Sequence, residues 1–353
     1  MAAFQTFLKD LVETDGAPGS EREVAKVMAR YLKGVGAHSS DKLGSFICEK
    51  KGSSAKPRVL LAGHLDEVGF MVKSVTKEGF VKFLPLGGWW GHVVLGQRLR
   101  IHTRKGPVIG VVGSRPPHEL RDEDRKKVLE IKDLFIDVGA TRDWDVKKKL
   151  DIRPGDPILP VSEYTDMANP NLMLAKAWDN RMGCALAAET ARRLKGRPHP
   201  NTLIAAATVQ EEVGLRGAQT IAHKVEPDVA FALDVGIAHD TPGTEGDEAL
   251  GGGPLVVVYD SSAIPNRGLL DLVVETAARQ RIPLQFESVE RGGTDAGRFH
   301  VSREGVPSIA MGVPARYIHS HISIIDRRDV ERTVQLLVAI VRRLDQRTVD
   351  RLT

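Results

Sequence analysis

Five places in this chain offer nitrogen or oxygen ligands for a metal, each at the end of an apolar run: His64, Asp179, the pair Glu211-Glu212, Asp234 and His319. His64 closes Leu60-Leu61-Ala62-Gly63, Glu211-Glu212 closes a run beginning at Thr202, and Asp234 closes Val229-Ala230-Phe231-Ala232-Leu233. Asp179 follows Ala177-Trp178, and His319 follows Arg316-Tyr317-Ile318. Carboxylates and imidazoles gathered in a partly dry site lose hydration, and like charges repel, so something must neutralise them. Two divalent cations would do so, and they would also make a water nucleophilic at neutral pH. The pattern reads as a hydrolase with a dinuclear site.

Taken singly, each residue has an ordinary structural explanation. His64 and Asp66, two apart at a strand exit, could be a surface polar pair. Beside a metal, such a carboxylate instead holds the second ring nitrogen and fixes the tautomer. Asp179 could simply cap a helix, or bridge two ions as a short carboxylate at the start of that helix. Asp234 has the same structural alternative. Glu211 and Glu212 could be a solvated strand end. With side chains sent in different directions, however, one can ligate while the other acts as general base, a role worth on the order of 10²–10⁴ in rate. His319 and His321 flank Ser320, and in an extended segment both point the same way, so either could ligate. Joint occurrence decides, because open α/β sheets bind ligands at the carboxyl ends of their strands.

The elements that must position these residues are readable from periodicity. Ser20 and Glu23 fit a capping box, and Val24, Val27, Met28, Tyr31 and Leu32 recur at helical spacing until Gly34 and Gly36. Residues 43–50 and 58–63 read as strands, the second central in a sheet. From 68 to 160 short β-like runs alternate with Gly and Pro without a long apolar helix, the signature of a small barrel or sandwich. After Ala175 strands and helices alternate again: helices at 180–194, 217–223, 267–281 and 328–344, strands at 202–209, 229–234, 255–259, 284–289 and 307–312. This predicts an α/β fold with a mainly parallel central sheet covered by helices on both faces. The catalytic domain would be discontinuous, 1–67 and 161–353, with 68–160 inserted.

Length and composition agree. A chain of 353 residues suggests two domains, and 42% apolar with 27% charged residues is ordinary for a globular protein. A net charge of +4 on scattered basic residues argues against a nucleic-acid partner, which would want a basic stripe. Cys48 and Cys184 are the only cysteines and read as small core residues, not a disulfide framework. No leader-like start and no apolar run of about 18 residues is present, so no membrane span is expected and the cytoplasm is the default location.

Six stretches carry a family resemblance: Gly63-His64-Leu65-Asp66-Glu67-Val68-Gly69-Phe70, Ala177-Trp178-Asp179-Asn180-Arg181, the run Val209 to Ala218 containing Gln210-Glu211-Glu212-Val213-Gly214, Asp234-Val235-Gly236, Arg291-Gly292-Gly293-Thr294-Asp295-Ala296-Gly297 and Arg316 to His321. In this order, over nearly the whole chain, they resemble the tetrahedral aminopeptidase family, which includes glutamyl and deblocking aminopeptidases. The resemblance implies a metal-dependent aminopeptidase acting on peptides. His64 and Asp234 would hold one ion and Glu212 and His319 the other, with Asp179 bridging. Glu211 would be general base to a water shared by the ions, and Asp66 the partner of His64. It further implies a cis Asp179-Asn180 peptide, and a substrate pocket along 291–297 with Gly293, Thr294 and Asp295 as binding candidates. The β-rich insert would serve dimerisation, with dimers building a hollow homododecamer. His321 stands where some relatives carry Pro, so the ligand role passes to His319 alone. Trp89-Trp90 could lie between subunits or be packed within the insert. Nitrogen and oxygen donors without thiolate suit Zn²⁺, with Co²⁺ or Mn²⁺ as alternatives. The rival enzyme reading is a dinuclear deacylase of N-acyl amino acids. A glycosidase is disfavoured, because Glu211 and Glu212 cannot oppose each other across a sugar if one is a ligand. A scaffold without chemistry would have lost ligands, and all five positions are filled.

Overall fold

Side chains that alternate between the two faces of one sheet organise most of the chain, as the computed structural model, which describes residues 2–352, shows. Eight strands form this sheet. The first three are β1 (Ala37–Ser40), β2 (Phe46–Lys51) and β3 (Arg58–His64). An insert contributes β4 (Gly69–Val75), β5 (Val81–Leu86), β6 (Arg98–Thr103), β7 (Gly106–Gly113), β8 (Phe135–Asp137) and β9 (Pro157–Pro160). Then follow β10 (Thr165–Asp166), β11 (Leu172–Ala175), β12 (Thr202–Thr208), β13 (Val229–Ile237), β14 (Leu255–Asp260), β15 (Gln285–Val289), β16 (Ser308–Ala315) and β17 (Ser323–Asp326). The main sheet runs β1-β2-β12-β3-β13-β16-β14-β15, and β10-β11-β17 make a small side sheet. Its centre, β12-β3-β13-β16, is parallel, while β1, β2 and β14 pair antiparallel toward the flanks.

Both faces are covered, which is why β3, β12 and β13 are apolar almost throughout. Val59 and Leu61 of β3 join one core cluster, and Leu60 and Ala62 join another on the opposite face. The helices are α1 (Ala2–Glu13), α2 (Arg22–Tyr31), α3 (Asp122–Arg125), α4 (Trp178–Arg193), α5 (Arg216–Val225), α6 (Arg267–Gln280), α7 (Ala296–Phe299), α8 (Arg327–Arg343) and α9 (Gln346–Val349). Residues of α1, α2, α4, α6 and α8 pack in the first cluster, those of α5 and α7 in the second. Helix α2 departs from the expected capping box. Its N-cap is Glu21, not Ser20. The Glu21 carboxylate instead accepts from the backbone N–H groups of Gly19 and Gln210, while Glu23 pairs with Lys26.

The insert closes into a barrel, β4-β5-β8-β7-β6-β9, around Phe70, Val72, Val81, Phe83, Leu99, Ile101, Ile136 and Ile158. Trp89 belongs to this packing: its ring stacks on Phe70 and its Nε1 donates to the Gly69 carbonyl at 3.0 Å. Trp90, by contrast, is 61% exposed. Among the described residues no helix is long and apolar enough to cross a membrane.

Candidate metal centre

Parallel strands deliver the ligand candidates to one edge. His64 ends β3, Glu211 and Glu212 follow β12, Asp234 lies in β13, and His319 comes after β16. Asp179 arrives on α4, which can press against the sheet only because two glycines face it. A Cβ on Gly63 would lie 2.4 Å from the Cys184 nitrogen, and one on Gly183 would lie 2.0 Å from the Leu233 carbonyl oxygen. The Asp179-Asn180 peptide is cis, as the resemblance implies. With φ −82° and ψ 105°, Asp179 is not helical, and the cap of the regular turns that follow is Asn180, whose Oδ1 accepts the Gly183 N–H at 2.8 Å, so a capping role does not account for this aspartate.

Asp179 stands between the two histidines. Its Oδ1 lies 3.2 Å from His64 Nε2 and its Oδ2 lies 3.3 Å from His319 Nε2. Glu211 Oε2 is 3.7 Å from His64 Nε2, and Glu212 Oε2 is 3.7 Å from His319 Nε2, so the adjacent glutamates do diverge. Two groups gather ligand atoms within 4.8 Å of one another: His64, Asp179 and Asp234, and Asp179, Glu212 and His319. A third combination, His64 with Glu211 and Glu212, meets the same distance. Asp66 is fully buried, not a surface residue. His64 Nδ1 lies 3.0 Å from the Asp66 carbonyl oxygen and 3.5 Å from Asp66 Oδ1, and the two carboxylate oxygens accept the backbone N–H groups of Glu211 and Glu212 at 3.0 Å each.

Electrostatics show an excess of negative charge. Burial pushes the Glu211 and Asp234 carboxyls well above the ordinary range, against the pull of His64. Burial and Asp179 push Glu212 up to about 8. Burial alone would raise Asp179 too, but hydrogen bonds from His319 and His64 hold it below the usual carboxylate range. Burial would lower both imidazoles. Instead Glu211, Asp179 and Asp66 raise His64 well above its ordinary value, and Asp179 with Glu212 raises His319 to about 10. Two imidazoles do not offset Asp66, Asp179, Glu211, Glu212 and Asp234 together. Glu212 Oε1 is also buried without a hydrogen-bond partner. Nitrogen and oxygen donors with surplus negative charge and an orphaned carboxylate oxygen fit divalent cations. Cys184 is close, but burial pushes its thiol up to about 12 and its Sγ donates to the His64 carbonyl.

Three sequence expectations change. His319 has φ 55°, so the segment is not extended there, and His321 is in none of the three ligand groups. Gly293 and Thr294 line the same cavity as His64, Asp179, Glu211, Glu212, Asp234 and His319, but Asp295 does not. The Asp295 carboxylate is buried, accepts from Thr208 Oγ1 at 2.6 Å and leaves its other oxygen unpartnered. The third change is an addition, Gly87 and Gly88 of the insert. His319 Nδ1 lies 2.9 Å from the Gly88 carbonyl oxygen, and a Cβ on Gly87 would come within 2.9 Å of Glu212 Oε2. The Gly87-Gly88 pair ahead of Trp89 was the available signal for this close approach.

The cavity measures about 560 Å³. Leu255, Val257, Val289 and Met311 give it apolar walls. Asp260 also lines it, but its oxygens are taken by Ser262, Ala263 and Thr294, and Glu287 Oε1 accepts the Ile237 N–H.

A parallel-centred sheet, an inserted barrel and a carboxylate-imidazole cleft at the strand ends define the structural class. Residues 44–336 match the M42 glutamyl aminopeptidase family. The chain is 38% identical over 345 residues to the glutamyl aminopeptidase of Lactococcus lactis subsp. cremoris (strain MG1363), across 97% of this chain and 96% of that protein. A TET aminopeptidase from the marine sediment archaeon Thaumarchaeota archaeon SCGC AB-539-E09 superposes with a TM-score of 0.98 at 44% identity, over 100% of both chains. The Pyrococcus horikoshii TET1 peptidase, which can assemble into a tetrahedron or a large octahedral shell, matches at 31% identity with a TM-score of 0.86, over 97% of this chain and 100% of its own. The chain belongs to the M42 glutamyl aminopeptidase family.

Proposed function

We propose that this chain is a metal-dependent aminopeptidase that removes residues from peptide N-termini with two divalent cations. The observation that carries the reading is Asp179, whose two oxygens face the two histidines at 3.2 and 3.3 Å. One ion would be held by His64 and Asp234, the other by Glu212 and His319, with Asp179 shared. Zn²⁺ is the first choice for this donor set, with Co²⁺ or Mn²⁺ next. When bound, such cations offset the carboxylate charge and supply Lewis acidity toward a peptide carbonyl and a water.

The chain's own groups do the rest. Glu211 is left free by this ligand assignment and takes a proton from the attacking water, then returns it to the leaving amine. Asp66 fixes the His64 ring and, through its bonds to the 211 and 212 amides, the backbone from which both glutamates project. The apolar cavity with Gly293 and Thr294 on its wall receives the N-terminal side chain. We take 1–67 and 161–353 as the catalytic unit and 68–160 as the dimerisation unit of a homododecamer. Exposed Leu84, Leu95, Ile109 and Val111 on the insert support a subunit contact there.

Aminoacyl amides and N-acylated amino acids, assayed after chelation and metal restoration, test the reaction. Metal-dependent release of the amine from aminoacyl amides is expected; cleavage of N-acylated substrates alone would replace the reading with a deacylase.

A further inference from the structure

Behind the cleft lies a chain of alternating charges that the proposed chemistry does not use, buried at Lys176, Glu67 and Arg181 and reaching solvent at Arg100 and His102. Lys176 Nζ reaches Asp15 Oδ1 at 2.7 Å and both Glu67 oxygens at 2.7 and 2.9 Å. Arg181 Nη2 lies 3.3 Å from Glu67 Oε1, and Asp15 Oδ2 takes Arg100 and His102, both of β6, at 2.7 Å each. The side chains of Lys176, Glu67 and Arg181 are 2%, 2% and 0% exposed. Burial alone would raise Asp15, but His102, Lys176 and Arg100 hold its carboxyl well below the usual range.

The place of this cluster matters more than its strength. Glu67 adjoins Asp66, and its N–H donates to the Gly16 carbonyl at 3.1 Å, so its position sets the turn that leaves β3. Lys176 sits at the end of β11, just before the turn through Ala177 (φ 57°) that presents Asp179. The Lys176 ammonium therefore ties the turn carrying His64 and Asp66 to the turn carrying Asp179, with shorter bonds to Glu67 than the 3.3 Å contact from Arg181 on the far side of Asp179. Those two turns must keep a fixed separation if one carboxylate is to face both ions.

We propose that Lys176, through Glu67, is a positioning residue that holds the Asp66 turn and the Asp179 turn at the spacing the two-ion centre requires. The proposal rests on the metal-dependent reading above. Removing Lys176 alone would leave Glu67 with Arg181 as its one remaining cation, at 3.3 Å, and take from Asp15 the cation it shares with Glu67, which is destabilising whatever else Lys176 does. The informative variant is therefore the pair Lys176→Met with Glu67→Gln, which removes one charge of each sign, set beside Lys176→Met alone.

Three readouts on the full chain separate positioning from folding: thermal unfolding of the chelated protein, Zn²⁺ affinity by competition with a chromogenic chelator, and the visible spectrum with Co²⁺. The expected result is a double variant that regains the metal-free stability lost by the single one. It should still bind Zn²⁺ about 10–100-fold more weakly than the parent, the range seen when outer partners of metal ligands are lost, with an altered Co²⁺ spectrum. Parent-like affinity in the double variant would overturn the proposal while leaving the functional reading intact. A double variant that recovers no stability would assign the cluster to folding alone and overturn it as well. A parent chain that binds no divalent ion would remove the functional reading, and the positioning role with it.

Discussion

The two halves of the candidate centre are built differently. In the inner half the His64 side chain is 2% exposed, ends a central strand, and has its second nitrogen facing Asp66 from the same strand exit. In the outer half the His319 side chain is 41% exposed, stands in an irregular segment with left-handed φ at Tyr317 and His319, and has its second nitrogen facing the carbonyl of Gly88. Gly87 also packs against Glu212. The sheet alone assembles the inner half, whereas the outer half is completed by the inserted barrel. The insert is thus part of the site's architecture, in addition to the subunit contact proposed for it.

Asp179 belongs to both halves, so Asp179→Ala should have the largest effect. Both ions should be lost on gel filtration, with turnover down by more than about 10⁴-fold, beyond what loss of a general base costs. Retention of two ions by elemental analysis would break the shared-ligand geometry. Glu211→Gln comes next. Turnover should fall by about 10²–10⁴ with both ions still bound, because the base, not a ligand, is removed. Near-normal turnover with bound metal would take Glu211 out of the mechanism.

The comparison itself is tested by His319→Ala against His64→Ala. An exposed ligand on an irregular segment is less firmly placed than one on a central strand. His319→Ala should therefore keep one tightly held ion, while His64→Ala should disturb both, since Asp179 and Glu211 lean on that ring. Equal losses in the two variants, measured by chelator competition, would show that the halves are not distinct.

What the sequence made legible follows the same division. The inner half lay open because buried parallel strands are uninterrupted apolar runs, and a charged residue at the end of such a run stands out. His64, Asp234 and the glutamate pair could be seen this way, as could the α/β rhythm and the β-rich insert. The contacts from Gly87 and Gly88 could not, because they depend on how the barrel sits over the cleft, and a glycine advertises only that something comes near. The Asp15-Glu67-Lys176-Arg181 cluster was hidden for a related reason. Its members are separated by up to 166 residues from Asp15 to Arg181, and nothing local distinguishes a buried ion pair from a solvated one. The surroundings of Asp295 were equally hidden: its neighbours Gly293 and Thr294 line the cavity, while at the start of α7 its own carboxylate bonds Thr208.

The smallest expected effect is the sharpest probe of the barrel's share. A Cβ at Gly88 would lie 2.9 Å from His319 Nδ1, closer than such atoms come, so Gly88→Ala must displace the ring. Gly88, unlike Gly87 with φ 85°, is not among the positive-φ glycines, so backbone strain does not confuse the result. The outer ion should bind about 10–100-fold more weakly, as when any hydrogen-bond partner of a metal-ligating histidine is disturbed. The inner ion and the melting temperature of the chelated protein should stay near their parent values. If both ions weaken together, the barrel supports the whole centre through the sheet and not His319 in particular. If neither weakens, the Gly88 carbonyl does not orient His319, and the outer half owes its geometry to the segment around Tyr317 alone.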